Sequence, residues 1–199
     1  MPDMLTNLIH RLVAQPQVYD LVQFAAGAPI SERRLRPLLA ESAGHRVLDV
    51  GGGTGWMLKL LPPSAQYLWV DVDFQKLQGL RAKYPAAQGV IASGTELCLQ
   101  NKSVDDAICV AIAHHLTDAQ VESLFNEVAR VIRRRMIFLE PLERKTSFRS
   151  NLLWRYDRGS HPRSAETLTA ALEQCFTIQQ AVHYSVYHTY LLCVCIPKA

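Results

Sequence analysis

The stretch Arg46-Val-Leu-Asp-Val-Gly-Gly-Gly-Thr-Gly-Trp-Met-Leu-Lys-Leu-Leu61 constrains this chain more than any other. Val47, Leu48 and Val50 read as a buried parallel strand, and Trp56, Met57, Leu60 and Leu61 recur at helical spacing, which predicts strand, tight loop and helix in that order. Glycines at 51, 53 and 55 let the backbone take positive φ and approach a ligand with no Cβ in the way. A helix after such a loop aims its N-terminal amides at the same point, so the stretch suits a polar or anionic small molecule. Two nucleotide signatures fail on spacing. A dinucleotide G-x-G-x-x-G begun at Gly51 needs a glycine where Trp56 stands, and a P-loop needs a Gly-Lys pair that does not occur here.

What remains is Asp49-x-Gly51-x-Gly53-x-Gly55 after an apolar strand. In this the sequence resembles the class I S-adenosylmethionine-dependent methyltransferases, whose first motif is D/E-x-G-x-G-x-G. Gln66–Val70 reads as the next strand, with Asp71 at its end about 20 residues beyond the glycine loop, where a carboxylate can accept hydrogen bonds from both hydroxyls of a ribose. The resemblance gives Asp71 that role and makes Val72 an apolar neighbour of the adenine. It implies that Asp49, Gly51, Gly52, Gly53 and Gly55 cradle the cofactor. The competing reading of Asp71 is a helix cap, for which Asp73, just before the helix at 74–82, is the better placed.

Further along, Gly89–Ala92 reads as a third strand, and the family then carries an aspartate for the adenine amino group. Ser93 stands there instead, a weaker acceptor, so the adenine contact falls to Gly94 and Thr95. The run Ser103-Val-Asp-Asp-Ala-Ile-Cys-Val-Ala-Ile-Ala-His-His-Leu116 resembles the S-F-D-x-V…H-H-L pattern of the type-11 methyltransferases, a subgroup that includes quinone-biosynthesis enzymes. Val110 would end this strand beside the methionine part of the cofactor. The resemblance covers about residues 46–141. It implies one α/β Rossmann-like domain with a mostly parallel seven-stranded sheet in the order 3-2-1-4-5-7-6, helices on both faces and N-terminal lid helices.

The remaining segments fit that frame. Residues 1–40 divide at Pro16, Gly27 and Pro29 into about three helices, a lid from which Tyr19 and Phe24 either face the site or pack on the sheet. Residues 46–141 form the cofactor-binding core. Asp118–Ile132 reads as an amphipathic helix capped by Thr117 or Asp118, Arg133–Arg135 as cations that suit the dipole at its C-terminus, where related proteins usually have a glycine turn, and Met136–Glu140 as a strand. Residues 142–175 form a substrate-lid insertion and a helix capped by Ser164. Arg144, Lys145, Arg149, Arg155, Arg158 and Arg163 there alternate with Phe148, Trp154 and Tyr156, a mixture that holds an anionic aromatic, a lipid surface or stacked bases, or that is a solvated lid face. Residues 176–196 read as a closing antiparallel hairpin.

Composition narrows the function. A chain of 199 residues with 49% hydrophobic content supports one buried domain, and a net charge of +3 gives no electrostatic argument for nucleic acid. Its five cysteines lack metal-type spacing and read as reduced core residues of a cytoplasmic protein; the longest apolar run, Ala107–Ala113, is too short for a membrane span. The expected activity is transfer of a methyl group from S-adenosylmethionine to a small-molecule acceptor by a monomer or homodimer. His114, His115 and His161 are the candidate general bases, each with a structural alternative, and Tyr19, Glu140, Trp154, Arg158 and Arg163 are the candidate substrate contacts. No metal is called for. An RNA methyltransferase and a non-catalytic, cofactor-binding regulator are the competing readings; acceptor identity is open among oxygen, nitrogen and carbon.

Overall fold

The strand pattern is satisfied by a single sheet. The computed structural model describes residues 28–142, 161–186 and 189–198. In it, β1 (Arg46–Val50), β2 (Gln66–Asp71), β3 (Gln88–Ile91), β4 (Val104–Val110), β5 (Ile132–Pro141), β6 (Phe176–Ser185) and β7 (Thr189–Pro197) lie in the order β3-β2-β1-β4-β5-β7-β6. β1 to β5 pair in parallel, and β7 is antiparallel to both β5 and β6. The sheet order and its closing hairpin are those that the family resemblance implies.

Side-chain parity divides the core. Successive strand residues face opposite sides. Leu48, Val50, Ala107, Cys109, Met136, Phe138, Leu191 and Cys193 accordingly share one cluster with α3 (Asp118–Val131) and α4 (Ala165–Cys175). Val47, Ile108, Ile137, Leu139 and Leu192 point the other way, onto Leu35 and Leu39 of α1 (Ala28–Ala40). Leu77 and Leu80 of α2 (Phe74–Lys83) cover Tyr67 and Trp69 of β2. Among the described residues no helix is long and apolar enough to cross a membrane.

The caps follow local chemistry. Thr117 accepts from the Gln120 amide while the Gln120 side chain returns to the Thr117 N–H, a complete capping box on α3. Asp73 and Ser164 cap α2 and α4 by the same kind of bond.

Two local expectations are corrected. Trp56–Leu60 is a short 3-10 turn rather than an α-helix, because it starts from a left-handed Gly55 (φ 79) and runs into Leu61, which is extended ahead of Pro62 and Pro63. The Arg133–Arg135 segment does not sit at the helix C-terminus as expected. Ile132 is already extended, so α3 passes directly into β5 and these arginines lie on the strand. Arg133 and Arg134 remain exposed, whereas Arg135 is buried, bonded to Glu41 Oε2 at 2.6 Å and to the Leu38 carbonyl at 2.7 Å. Its neighbour Asp106, also buried, accepts from Ser42 Oγ at 2.7 Å and lies 2.9 Å from His45 Nδ1, closing a polar network at the end of β4 remote from the glycine loop. Of the predicted N-terminal helices, residues 1–27 lie outside the described residues.

Candidate cofactor and acceptor site

The sheet brings the glycine loop, Asp71 and the turn after β4 to one edge, the carboxyl ends of its central parallel strands, where ligands of open α/β sheets sit. Gly51 and Gly52 leave β1 and donate to the Val70 carbonyl at 2.8 and 3.2 Å, tying the loop to the end of β2. A Cβ at Gly52 would overlap Trp69 Cδ1 and come within 2.9 Å of Asp49 Oδ2, so the loop is packed tightly on its inner side. Gly53 is the opposite case. It sits at φ +53, and among the described residues beyond its chain neighbours a Cβ there would meet nothing nearer than the Gly51 carbonyl oxygen at 4.0 Å. Space therefore opens in front of the loop.

Asp71 closes β2 half-exposed, its Oδ2 accepting from the Gly53 N–H at 3.0 Å and its Oδ1 from the Asp73 N–H at 3.0 Å. One bond to each oxygen leaves lone pairs on both. Val72, next in the chain, is 68% exposed, and Phe74, Val90 and Ile91 add further uncovered apolar surface on α2 and β3. Across the sheet, Ser93 Oγ lies 2.7 Å from Thr95 Oγ1 and accepts from the Thr95 N–H at 3.2 Å. Gly94 packs against Val50 and Leu124, with no room for a Cβ. Val110 ends β4 half-buried.

Beneath the loop, Asp49 is buried and accepts the Tyr67 hydroxyl proton at 2.6 Å. Burial pushes its carboxyl up to about 7, with the Tyr67 bond opposing and the Asp71 charge adding to the shift. Burial, then the Asp49 charge, push the Tyr67 hydroxyl upward as well. A raised acid binds its proton more tightly in the folded state than in the unfolded one. Its contribution to stability is thus full below about pH 4 and is lost as the pH climbs towards 7, by at most about 1.4 kcal/mol per pH unit. Asp49→Asn should remove that slope: urea midpoints of wild type fall relative to the variant between pH 5 and pH 8. Parallel profiles would contradict the buried-acid assignment.

Tyr67 and Trp69 were legible only as strand residues. Trp69 Nε1 donates to the Gly53 carbonyl at 2.9 Å, so its polar tip holds the loop while that of Tyr67 holds the strand acid Asp49 beneath it. Their alternation along β2, each an aromatic with a hydrogen-bonding end, is the signal that marks them.

The histidines occupy the turn after β4. Ala113–His115 is a 3-10 turn in which His114 is buried and His115 exposed, their rings tilted at 43° with centroids 4.1 Å apart. His161 is half-buried and reaches this turn through its backbone, its N–H donating to the His114 carbonyl at 3.0 Å. Glu140 and Arg163, read from sequence as substrate contacts, are buried and bonded to the same turn. Tyr19, Phe24, Trp154 and Arg158 lie outside the described residues. Among the described residues no group of histidine, cysteine and carboxylate side chains is arranged to hold a metal.

Comparison with known proteins agrees with this geometry. Residues 47–135 match the model of a family described as a methyltransferase domain. Uncharacterized methyltransferases of Mycobacterium bovis and Mycobacterium tuberculosis are 36% identical over 96 residues, which is 48% of this chain and 38% of theirs, so the match spans well under half of those relatives. A protein of Pyrococcus horikoshii shares the fold with a TM-score of 0.69 at 16% identity, over 92% of each chain. A protein described as a SAM-dependent methyltransferase, from Methanosarcina mazei, does so with 0.69 at 13%, over 80% of this chain and 94% of its own. The cyclase SpnF also superposes, with 0.66 at 16% over 83% and 80%, so the fold alone does not fix the reaction. Residues 47–135 of this chain thus resemble a methyltransferase domain, on a fold shared with a protein described as a SAM-dependent methyltransferase.

Proposed function

We propose that this protein transfers the methyl group of S-adenosylmethionine to a small-molecule acceptor, within the type-11 subgroup that its histidine-pair motif resembles. The observation that carries the reading is the open approach at Gly53 flanked by the Asp71 carboxylate and the uncovered Val72. That combination fits a nucleoside: a backbone free of side chain for the methionine end, a carboxylate for the ribose hydroxyls, and apolar surface for the base. Gly94 and Thr95 supply backbone groups at the adenine end, in place of the family's aspartate.

When bound, the cofactor supplies an already activated methyl electrophile, so the chain's own residues chiefly bind, align and exclude water. The glycine loop and Asp71 fix one partner. The turn after β4 forms the opposite wall, and there the exposed imidazole of His115 would take a proton from a hydroxyl or ammonium acceptor. The free cysteines of the described chain suit a reducing, cytoplasmic compartment.

Incubation with S-adenosylmethionine labelled in its methyl group, together with a small-molecule extract and separately with RNA, tests this. Label should move into low-mass products. Label recovered only in RNA would favour a nucleic-acid substrate, and tight cofactor binding without transfer to either pool would favour a regulatory protein.

A further inference from the structure

The turn that leaves β4 is held from both sides by buried charge. Its first residue, Ala111, has φ 52, a left-handed value that is costly for a residue with a side chain and persists only where the surroundings impose it. The surroundings are specific. The Glu140 carboxylate accepts from the N–H groups of Ile112 at 3.1 Å, Ala113 at 3.0 Å and His114 at 3.0 Å, and it also pairs with His114 Nδ1. From the other side, the Arg163 guanidinium donates to the carbonyls of Ala113 at 2.7 Å and Leu116 at 2.6 Å, and to Asp118 Oδ1 at 2.8 Å. Glu140 is 1% exposed and Arg163 8% exposed. A carboxylate has about four acceptor positions and a guanidinium five donors, so these bonds leave each side chain little with which to meet a ligand. The turn in turn touches the glycine loop: a Cβ at Gly51 would strike the Ile112 side chain, its nearest atom at 2.6 Å.

We infer that Glu140 and Arg163 are positioning residues, not acceptor contacts: as opposed buried charges they lock the strained turn Ala111–Leu116 against the glycine loop and fix where His114 and His115 stand. Neither charge then selects the acceptor. Glu140 also sets the tautomer of His114: its oxygens already accept from three amides, so it meets Nδ1 as an acceptor too, with the ring proton on that nitrogen. The inference rests on the methyltransferase reading only in calling this wall the acceptor side.

Nitrogen-15 spectra of the histidine rings and amide hydrogen exchange, recorded on the full chain as wild type, Glu140→Gln and Arg163→Lys, test it beside calorimetric titration with S-adenosylhomocysteine. In wild type, His114 Nδ1 should carry the proton, and the Ile112, Ala113 and His114 amides should be strongly protected. In Glu140→Gln the Nδ1 signal should shift and those amides should exchange at least tenfold faster, with a Kd for S-adenosylhomocysteine within threefold of wild type. Arg163→Lys should move the His115 ring signals with the same tolerance on Kd. Unchanged ring signals and exchange in both variants would overturn the inference, as would a tenfold loss of affinity with the turn unperturbed. Should the variants not fold, a wild-type His114 unprotonated at Nδ1, or unprotected turn amides, would overturn it. The predicted spectra in a protein that does not bind S-adenosylhomocysteine would uphold the clamp and remove the methyltransferase reading instead.

Discussion

Glu140→Ala lowers the stability of the fold by roughly 3–5 kcal/mol, as expected for removing one partner of a buried, hydrogen-bonded ion pair. The substitution strips the acceptor from the three N–H groups of Ile112, Ala113 and His114 and from His114 Nδ1. Each buried donor left unpaired costs about 1–3 kcal/mol, and water entering the space left by the side chain recovers part of the sum. Release of the left-handed Ala111 returns a further fraction, so the net loss stays below the simple total. Against a whole-domain stability of about 5–15 kcal/mol this is a large share. Thermal melts should show a fall of roughly 10 °C, at about 2–4 °C per kcal/mol for a domain of this size. A shift under 2 °C would mean that the turn finds other partners without cost.

Gly53→Val separates binding from folding more sharply than any other change. Outside its chain neighbours, the added Cβ meets no atom of the described residues within 4 Å apart from the Gly51 carbonyl oxygen at that limit, so the first atom of the new side chain displaces none of them. The strain of a β-branched residue at φ +53 costs about 1–2 kcal/mol. The same volume occupies the space in front of the glycine loop, where the cofactor is proposed to lie. Affinity for S-adenosylhomocysteine should therefore fall at least 100-fold, about 2.8 kcal/mol, in a protein whose circular dichroism is unchanged. A variant that binds as well as wild type would place the ligand elsewhere.

The parts of this structure that were legible in the sequence are those set by neighbours along the chain. Val47, Leu48 and Val50, like Met136–Leu139, declare buried strands by their continuous apolar character, and the structure sends alternate residues of each to opposite faces. Thr117, Asp73 and Ser164 declare themselves as caps because their partners lie two or three residues away. The glycine loop and the acid at the end of β2 stand at family spacing.

What the sequence concealed depends on partners far along the chain. Three consecutive arginines after an amphipathic helix read as cations at its C-terminus, yet Arg135 finds Glu41 and Leu38, more than 90 residues earlier, and is drawn into a strand. Glu140 and Arg163 carry the charges expected of substrate ligands. Only their long-range bonds to the turn at 111–116 reveal what they hold. The Asp49–Tyr67 pair is concealed for the same reason: the motif supplies the acid, and the adjacent strand, paired Val47 to Tyr67, supplies the hydroxyl.

The central claim is that the carboxyl edge of this sheet binds S-adenosylmethionine, with Asp71 on the ribose. Calorimetric titration of S-adenosylhomocysteine into wild type and Asp71→Ala tests it most directly. The account predicts micromolar affinity, about −8 kcal/mol, for wild type and at least a tenfold loss in the variant. A folded wild type that shows no binding, or a variant that binds as tightly as wild type, would contradict it.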